Sequence, residues 1–264
     1  MSPTTPLQFS ANLSFLFAEH AFPDRFGAAA RAGFHGVEFH FPYEHDRAAL
    51  AEVVLTSGVE VVLFNLPAGD WAAGERGIAC LPSRKAEFQD GVGRAVEYAE
   101  ALGCTRLNCL AGIPAGDRDK AIETLVDNLK FAAAVTQRAG IRLLVEPLNT
   151  RDNPGFLVPT TRTALQVMDA VGSRNLFLQY DVYHAQVMEG DLARTLETNL
   201  ARIGHLQVAD NPGRHEPGTG EIRFDFLFER LQQLGYAGWI GCEYHPAGGM
   251  GATEASLGWL ASWR

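Results

Sequence analysis

The sequence predicts an α/β fold, a single (β/α)₈ TIM barrel with a long loop after its third strand. Short runs of apolar and β-branched residues alternate eight times with longer amphipathic segments, and successive runs begin on average 33 residues apart in this 264-residue chain. Strict alternation indicates a parallel sheet, and eight βα units of this length close into a barrel of about 250 residues. No Pro-rich or Ser-rich linker interrupts the pattern, so we expect residues 1–264 to form one domain.

Each predicted strand is a compact apolar run that is bounded by turn-forming residues. The runs are rich in Val, Ile, Leu and Phe, which suit the strands of a parallel sheet because those strands are covered on both faces. The eight predicted strands cover residues 7–13, 36–41, 59–66, 106–112, 142–148, 176–184, 203–210 and 238–246.

The predicted helices lie between these strands, and one more follows the last strand. Several begin at a capping residue and end just before a glycine, as at Gly33, Gly58, Gly103 and Gly140. Glycine is typical of this position because it adopts the left-handed conformation that closes a helix. The predicted helices cover residues 24–32, 47–57, 84–102, 117–139, 161–171, 191–200, 225–234 and 253–263.

A doubly wound open sheet is the alternative architecture for alternating β and α elements. A nucleotide-binding sheet of that type usually carries the motif G-x-G-x-x-G after its first strand. Residues 12–17 read Asn-Leu-Ser-Phe-Leu-Phe and contain no glycine. The closed barrel is therefore favoured.

Charge and composition exclude several classes of partner. The chain has 22 Lys and Arg against 31 Asp and Glu, a net charge of −9. This charge repels phosphate backbones, so we expect no nucleic acid partner.

No apolar run approaches the roughly 18 residues of a membrane span, and no basic signal-peptide region begins the chain, so we expect no membrane partner and a cytoplasmic location. The four cysteines show no CxxC spacing and fit buried core residues in a reducing compartment. The sequence leaves a homo-oligomer open.

The loop after the third predicted strand is unusually long. Residues 67–82 separate this strand from its helix, whereas βα loops usually have about 2–6 residues. A loop without function is not expected to carry a large aromatic side chain and a cation. Trp71 and Arg76 therefore favour a lid that closes over a ligand. A purely structural Ω-loop is the alternative.

Four polar residues follow the apolar runs of strands five to eight. They are Glu146, Asp181, Gln207 and Glu243, with separations of 35, 26 and 36 residues, each about one βα unit. Active sites of such barrels lie at the C-terminal ends of the strands, so we expect these side chains to converge on one side of the barrel mouth.

A bound metal explains why three carboxylates would be placed together. Carboxylates this close would repel one another and take up protons unless a cation neutralised them. Carboxylate and amide oxygens are hard donors, which favour one Mg²⁺ or Mn²⁺ ion over zinc. An acidic rim of solvated side chains is the alternative, but each residue directly follows a buried apolar run.

Other polar residues near strand ends are candidates for contact with a small substrate. Arg76 and Arg214 are the cations that could meet an anionic group, because a guanidinium matches a carboxylate. A structural role is the alternative for each residue of this group. The candidate substrate-binding residues are Asn65, Trp71, Arg76, Asn108, His184 and Arg214.

Several segments of the chain resemble the hydroxypyruvate isomerase family of xylose-isomerase-like barrels. These segments are residues 9–14, 65–79, Val-Glu-Pro-Leu-Asn at 145–149, Gln-Tyr-Asp-Val-Tyr-His at 179–184, and 205–222, which contains Pro-Gly-Thr-Gly-Glu. The resemblance runs nearly end to end. It implies one divalent metal ion held by Glu146, Asp181, Gln207 and Glu243, with Glu146 and Glu243 also serving as catalytic acid and base.

The resemblance implies an isomerase that interconverts hydroxypyruvate and tartronate semialdehyde by metal-assisted proton transfer through an enediolate. A 2-oxo-tetronate isomerase has very similar motifs and is the main alternative. Ketose 3-epimerases of this type have His where this chain has Gln207, and the related nucleases use several zinc ions with more His ligands. A hydride shift is the mechanistic alternative. Such a shift usually uses two metals and a lysine, and the chain has no Lys at a strand end. A binding module without activity is disfavoured by the carboxylates at the mouth.

Overall fold

Eight parallel strands close into a barrel in chain order in the computed structural model, which describes residues 6–263. The first strand pairs with both the second and the eighth, so the barrel has no open edge. This confirms the predicted fold class. The strands are β1 (Gln8–Asn12), β2 (Gly36–Phe39), β3 (Glu60–Asn65), β4 (Arg106–Cys109), β5 (Arg142–Val145), β6 (Leu176–Asp181), β7 (Ile203–Val208) and β8 (Trp239–Cys242).

Helices cover the outside of this barrel. They are α1 (Phe22–Arg31), α2 (Arg47–Ser57), α3 (Lys85–Leu102), α4 (Arg118–Arg138), α5 (Thr161–Val171), α6 (Val182–Met188), α7 (Leu192–Asn199) and α8 (Phe224–Gln233). Short 3₁₀ helices are formed by Pro82–Arg84, Leu200–Arg202 and Glu254–Ser262. Within residues 6–263, no helix combines the length and apolar character needed to cross a bilayer.

Local sequence explains where several helices begin and end. Asp46 caps α2 by accepting a hydrogen bond from the backbone N–H of Ala49, and Asp117 caps α4 in the same way. Gly58 follows α2 with φ of 72°, and Gly172 follows α5 with φ of 66°. These are the polar N-caps and left-handed C-terminal residues that stabilise isolated helix ends.

The hydrophobic core lies between the barrel and its helices. Phe9 of β1 packs edge to face on Phe228 of α8, with ring centroids 5.5 Å apart, and Phe228 stacks on Trp259. All four cysteines are buried. This core fixes the strands, so residues at their C-terminal ends project from a rigid frame.

Several predicted boundaries differ from the structure. The fourth and fifth strands end three residues earlier than predicted, at Cys109 and Val145. The sixth strand ends at Asp181 and not at residue 184, because the Asp181 side chain accepts the backbone N–H of Tyr183 and starts α6, a helix that the sequence analysis missed. The eighth strand ends at Cys242 and not at residue 246. The C-terminal segment 253–263, predicted as an α-helix, forms a 3₁₀ helix instead.

The long loop after β3 has an anchored base and an exposed tip. Residues 77–80 are buried, and the N–H of Cys80 donates to the carbonyl of Ala111 beyond β4. Gly77 has φ of 116° and lies against the backbone of Leu110, where a side chain would collide. Residues 72–74 are exposed. Glu75 joins the loop to the 3₁₀ helix Pro82–Arg84, which precedes α3, through an ion pair with Arg84.

Candidate active site and metal-binding position

The four predicted metal ligands converge at the C-terminal end of the barrel. Glu146 directly follows β5, Asp181 ends β6, Gln207 lies in β7 and Glu243 directly follows β8. All four are at least 95% buried. Glu146, Gln207 and Glu243 line a cavity of about 340 Å³, and Asp181 contacts two further residues of its wall, His184 and Arg214.

Arg214 lies between two of these carboxylates. One guanidinium nitrogen, Nη2, is 3.2 Å from Asp181 Oδ2 and 3.1 Å from Glu243 Oε1. The guanidinium also packs over the rings of Phe15 and Tyr183, at 4.9 and 5.2 Å from their centroids. Arg214 therefore offsets part of the negative charge of the carboxylate cluster.

The pKa values of the two glutamates of the cluster are shifted in opposite directions. Burial raises the pKa of Glu146 well above its usual range, and Glu243 and Asp181 raise it further. Burial also raises the pKa of Asp181 to about 7, although Arg214 opposes the shift. Burial acts in the same direction on Glu243, but Arg214 and the hydrogen bond from His40 outweigh it, so the pKa of Glu243 is lowered.

The cluster has the composition and geometry of a cation site. Ligand atoms of Glu146, Asp181 and His184 lie within 4.8 Å of one another. Among residues 6–263, Glu243 Oε2 is buried and has no hydrogen-bond partner. Leaving a buried carboxylate oxygen unpartnered costs free energy, so a group that it could bind is expected beside it. The carboxylates of this cluster fit a divalent metal.

His184 serves this cluster better as a hydrogen-bond donor than as a metal ligand. Its Nδ1 accepts the backbone N–H of Asn149 at 3.1 Å, so the ring proton of the neutral imidazole resides on Nε2. Nε2 faces Asp181 Oδ2 at 3.5 Å. Burial lowers the pKa of His184 well below its ordinary value, and Arg214 lowers it further. A protonated nitrogen cannot ligate a metal.

Gln207 is held at both ends of its amide. Its Oε1 accepts a hydrogen bond from Gln179 Nε2 at 2.7 Å, and its Nε2 donates to Glu38 Oε1 at 2.8 Å. Glu38 is completely buried and does not line the cavity. The amide oxygen has a second lone pair, which remains available to a cation.

The predicted substrate-binding residues divide into those that line the cavity and one, Asn108, that does not. Trp71 and Arg76 of the long loop line the cavity, with the guanidinium 4.2 Å from the indole centroid. Asn65 also lines it. Asn108 is fully buried and does not; it donates to Asn65 Oδ1 at 3.0 Å and to Glu146 Oε2 at 2.8 Å. Asn108 therefore orients the Glu146 carboxylate from below.

Sequence analysis missed several polar residues of the cavity wall, among them His40, Gln179 and Asp152. His40 Nε2 lies 3.1 Å from Glu243 Oε1, and Gln179 contacts Gln207. Gln179 precedes Asp181 by two residues, and strand periodicity places such a pair on one face, so the signal was present. Asp152 lies in the loop after β5, where no periodicity exists.

Comparison with known proteins gives consistent matches over nearly the whole chain. The xylose isomerase-like TIM barrel family matches residues 26–263. Hydroxypyruvate isomerase of Escherichia coli (strain K12) is 53% identical over 260 residues, which cover 98% of this chain and 100% of that protein. A 2-oxo-tetronate isomerase of Cupriavidus necator is 48% identical over 255 residues, which cover 96% of this chain and 97% of that protein.

Solved structures give the same architecture. A crystal structure described as AP endonuclease, family 2, from Brucella melitensis is 45% identical in sequence and superposes with a TM-score of 0.94. The superposition covers 98% of this chain and 100% of that one.

Proposed function

Because this chain belongs to the xylose isomerase-like TIM barrel family, and within it to the hydroxypyruvate isomerase family, we propose that it interconverts hydroxypyruvate and tartronate semialdehyde. The chain is an isomerase of this family. The reaction moves a carbonyl group between adjacent carbons of a short 2-oxo acid. One observation carries the proposal: two buried glutamates, Glu146 and Glu243, project from different strands into one cavity.

The two glutamates are the proposed proton carriers. One removes a proton from the hydroxymethyl carbon of hydroxypyruvate, which produces an enediolate, and the other delivers a proton to the adjacent carbon, while the hydroxyl proton passes from the first carbon's oxygen to the second's. Their positions after β5 and β8 place them on separate strands, so they can reach a planar intermediate from two sides. Asn108 and His40 hold these carboxylates in place by hydrogen bonds at 2.8 and 3.1 Å.

The proposed metal ligands are Glu146, Asp181, Gln207 and Glu243. Their three carboxylates and one amide oxygen suit Mg²⁺ or Mn²⁺, and the unpartnered Glu243 Oε2 supports such a site within the described chain. A divalent cation there would polarise the substrate carbonyl and stabilise negative charge on its oxygens.

Arg76 is the proposed partner of the substrate carboxylate. Arg214 already contacts Asp181 and Glu243, whereas the only hydrogen bonds found for the Arg76 side chain in residues 6–263 go to the carbonyls of Trp71 and Glu75. A guanidinium in a partly enclosed cavity binds a carboxylate with two aligned donors. His184 Nε2 is the proposed donor to a substrate oxygen.

A 2-oxo-tetronate isomerase is the second candidate, because the relative of that name from Cupriavidus necator is 48% identical. This substrate has one more carbon than hydroxypyruvate. The two activities therefore differ in how the cavity of about 340 Å³ accommodates the far end of the chain, and both use the same acid, base and metal ligands.

The test of this proposal is a substrate panel assayed with metal-stripped protein to which Mg²⁺ or Mn²⁺ is returned. Hydroxypyruvate, 2-oxo-tetronate, fructose and tagatose would be compared by their kcat/KM. We expect the acids to react and the activity to require the added ion. Faster turnover of the neutral ketoses would indicate a ketose 3-epimerase. Metal-dependent nicking of abasic plasmid DNA would instead support the activity named for the Brucella melitensis protein.

A further inference from the structure

Glu38 is a buried carboxylate that the proposed reaction does not use. It lies in β2 with 0% of its surface exposed. Each of its two oxygens accepts two hydrogen bonds. Oε1 accepts from Gln207 Nε2 at 2.8 Å and Asn12 Nδ2 at 3.2 Å, and Oε2 accepts from Ser10 Oγ at 2.8 Å and His205 Nε2 at 2.8 Å.

A glycine of β8, two strands away from β2 around the barrel, leaves room for this carboxylate. Gly241 of β8 is paired with Gln207 of β7, and a Cβ atom at position 241 would lie 2.3 Å from Glu38 Oε1 and 2.4 Å from Oε2. No side chain fits there while Glu38 keeps its position. Position 241 must be glycine, and four hydrogen-bond donors surround the Glu38 carboxylate. Together these features indicate that the fold holds Glu38 in one fixed position.

Such a carboxylate has a specific effect on the amide of Gln207. The oxygen and nitrogen ends of a side-chain amide are nearly equal in size, so only the neighbours decide which end faces a ligand. Ser10 Oγ and Asn12 Nδ2 each donate to one oxygen of Glu38, so this carboxylate acts as an acceptor and admits only the NH₂ end of the Gln207 amide. In the flipped amide, oxygen would face oxygen at Glu38, and Gln179 Nε2 would face a second NH₂ group.

We infer that Glu38 is a positioning residue that fixes the Gln207 amide with its oxygen toward the carboxylates of the proposed metal site. The inference rests on the proposed function, because it gives Gln207 Oε1 a place among the metal ligands. Glu38 touches neither the cation nor the substrate and acts through Gln207 alone. Groups that orient a metal ligand from behind typically change metal affinity by about 10–100-fold when they are replaced.

The test is calorimetric titration of metal-stripped protein with Mn²⁺ alone, without substrate. Glu38→Gln keeps the shape but accepts and donates, so either orientation of Gln207 becomes possible, and we expect the Kd for Mn²⁺ to rise about 10–100-fold. Ser10→Ala is the matched control, because it removes one donor to the other Glu38 oxygen and leaves the Gln207 contact. We expect less than a threefold change in this variant.

A double-mutant cycle separates positioning from general structural damage. In a Gln207→Ala background, Glu38→Gln should change the Mn²⁺ Kd less than twofold, because the residue through which Glu38 acts is gone. An equal loss with and without Gln207 would overturn the inference. A wild-type protein that binds no Mn²⁺ would contradict the proposed metal site, whereas wild-type binding that Glu38→Gln leaves unchanged would contradict only the role of Glu38.

A measurement on the wild-type protein covers the case in which Glu38→Gln does not fold. Side-chain amide NMR of the Mg²⁺-loaded protein should show one Gln207 amide proton strongly protected from exchange with water, because it is bonded to a buried carboxylate. Rapid exchange of both Gln207 amide protons would contradict the inference.

Discussion

The two halves of the barrel mouth differ in charge. The C-terminal ends of β5–β8 carry Glu146, Asp181, Gln207 and Glu243 at or next to the last strand residue. The ends of β1, β3 and β4 carry the neutral amides Asn12, Asn65 and Asn108. The carboxylate of β2, Glu38, has both oxygens saturated by donors, while Glu243 Oε2 has no partner in residues 6–263.

We propose that this difference separates residues that perform chemistry from residues that hold them. A buried carboxylate with all its oxygens bonded is stable in one position and has little left to offer a ligand. A buried carboxylate with a free oxygen is costly unless something binds it. The β5–β8 half is therefore assigned the cation and proton transfer, and the β1–β4 half, with the long loop, positions and covers the substrate.

The largest expected effect belongs to the glutamates of the charged half. Glu146→Gln and Glu243→Gln should each lower kcat by about 10³-fold or more, because each change removes a proposed proton carrier and replaces a charged metal ligand by a neutral amide. Glu123→Gln on the exposed surface of α4 is the control and should leave kcat unchanged. Retention of more than about a tenth of the wild-type rate, a barrier change below roughly 1.4 kcal/mol, would remove that glutamate from the mechanism.

The next effect concerns the cation that the loop brings to the neutral half. Arg76→Ala should lower kcat/KM for hydroxypyruvate by about 100-fold, or roughly 2.7 kcal/mol, because a shielded guanidinium–carboxylate pair is lost. Arg76→Lys should recover part of the loss, since it keeps the charge without the paired donors. Steady-state kinetics on both variants measures this. Arg31→Ala, on α1, is the matched control, and an equal effect there would contradict the assignment.

Gln207→His should alter which metal is preferred without abolishing binding. Imidazole suits softer ions better than an amide oxygen does, so affinity should shift toward Co²⁺ or Zn²⁺ relative to Mg²⁺. Competition titrations with these ions measure the order. An unchanged order would show that position 207 does not contact the metal.

The smallest expected effect is that of the loop tip. Trp71 lies beneath Arg76 and beside His40, at 5.6 Å between ring centroids, so its fluorescence should change when hydroxypyruvate or an inert analogue binds. Trp71→Ala should raise KM severalfold, because it removes the surface on which Arg76 stacks, and Trp71→Phe should raise it less. Unchanged fluorescence together with wild-type kinetics in Trp71→Ala would reduce the loop to a structural role.

The fold and the charged half were largely predictable from sequence. All eight strands exist, and Glu146, Asp181, Gln207 and Glu243 converge because parallel strands of equal spacing bring their ends to one height. The rule that active-site residues lie at the C-terminal ends of barrel strands works here because each of the four residues directly follows a buried apolar run.

Contacts made by loops and by residues deep in the barrel were not predictable. Arg214 reaches Asp181 and Glu243 from a loop residue with φ of 56°, a left-handed conformation that no local pattern signals. Helix α6 was missed because its start depends on the Asp181 side chain. The role of Glu38 depends on pairing of β7 with β8 and on contacts across the barrel.

Isomerisation of hydroxypyruvate in D₂O with Mg²⁺ or Mn²⁺ tests the central claim most directly, with Glu146→Gln protein as the control for uncatalysed exchange. If the charged half transfers protons through an enediolate, tartronate semialdehyde should carry deuterium at the former carbonyl carbon, and the control should form no product above background. Product formed by the wild-type protein without deuterium at that carbon would contradict the account, because hydrogen would then have moved directly between the two carbons.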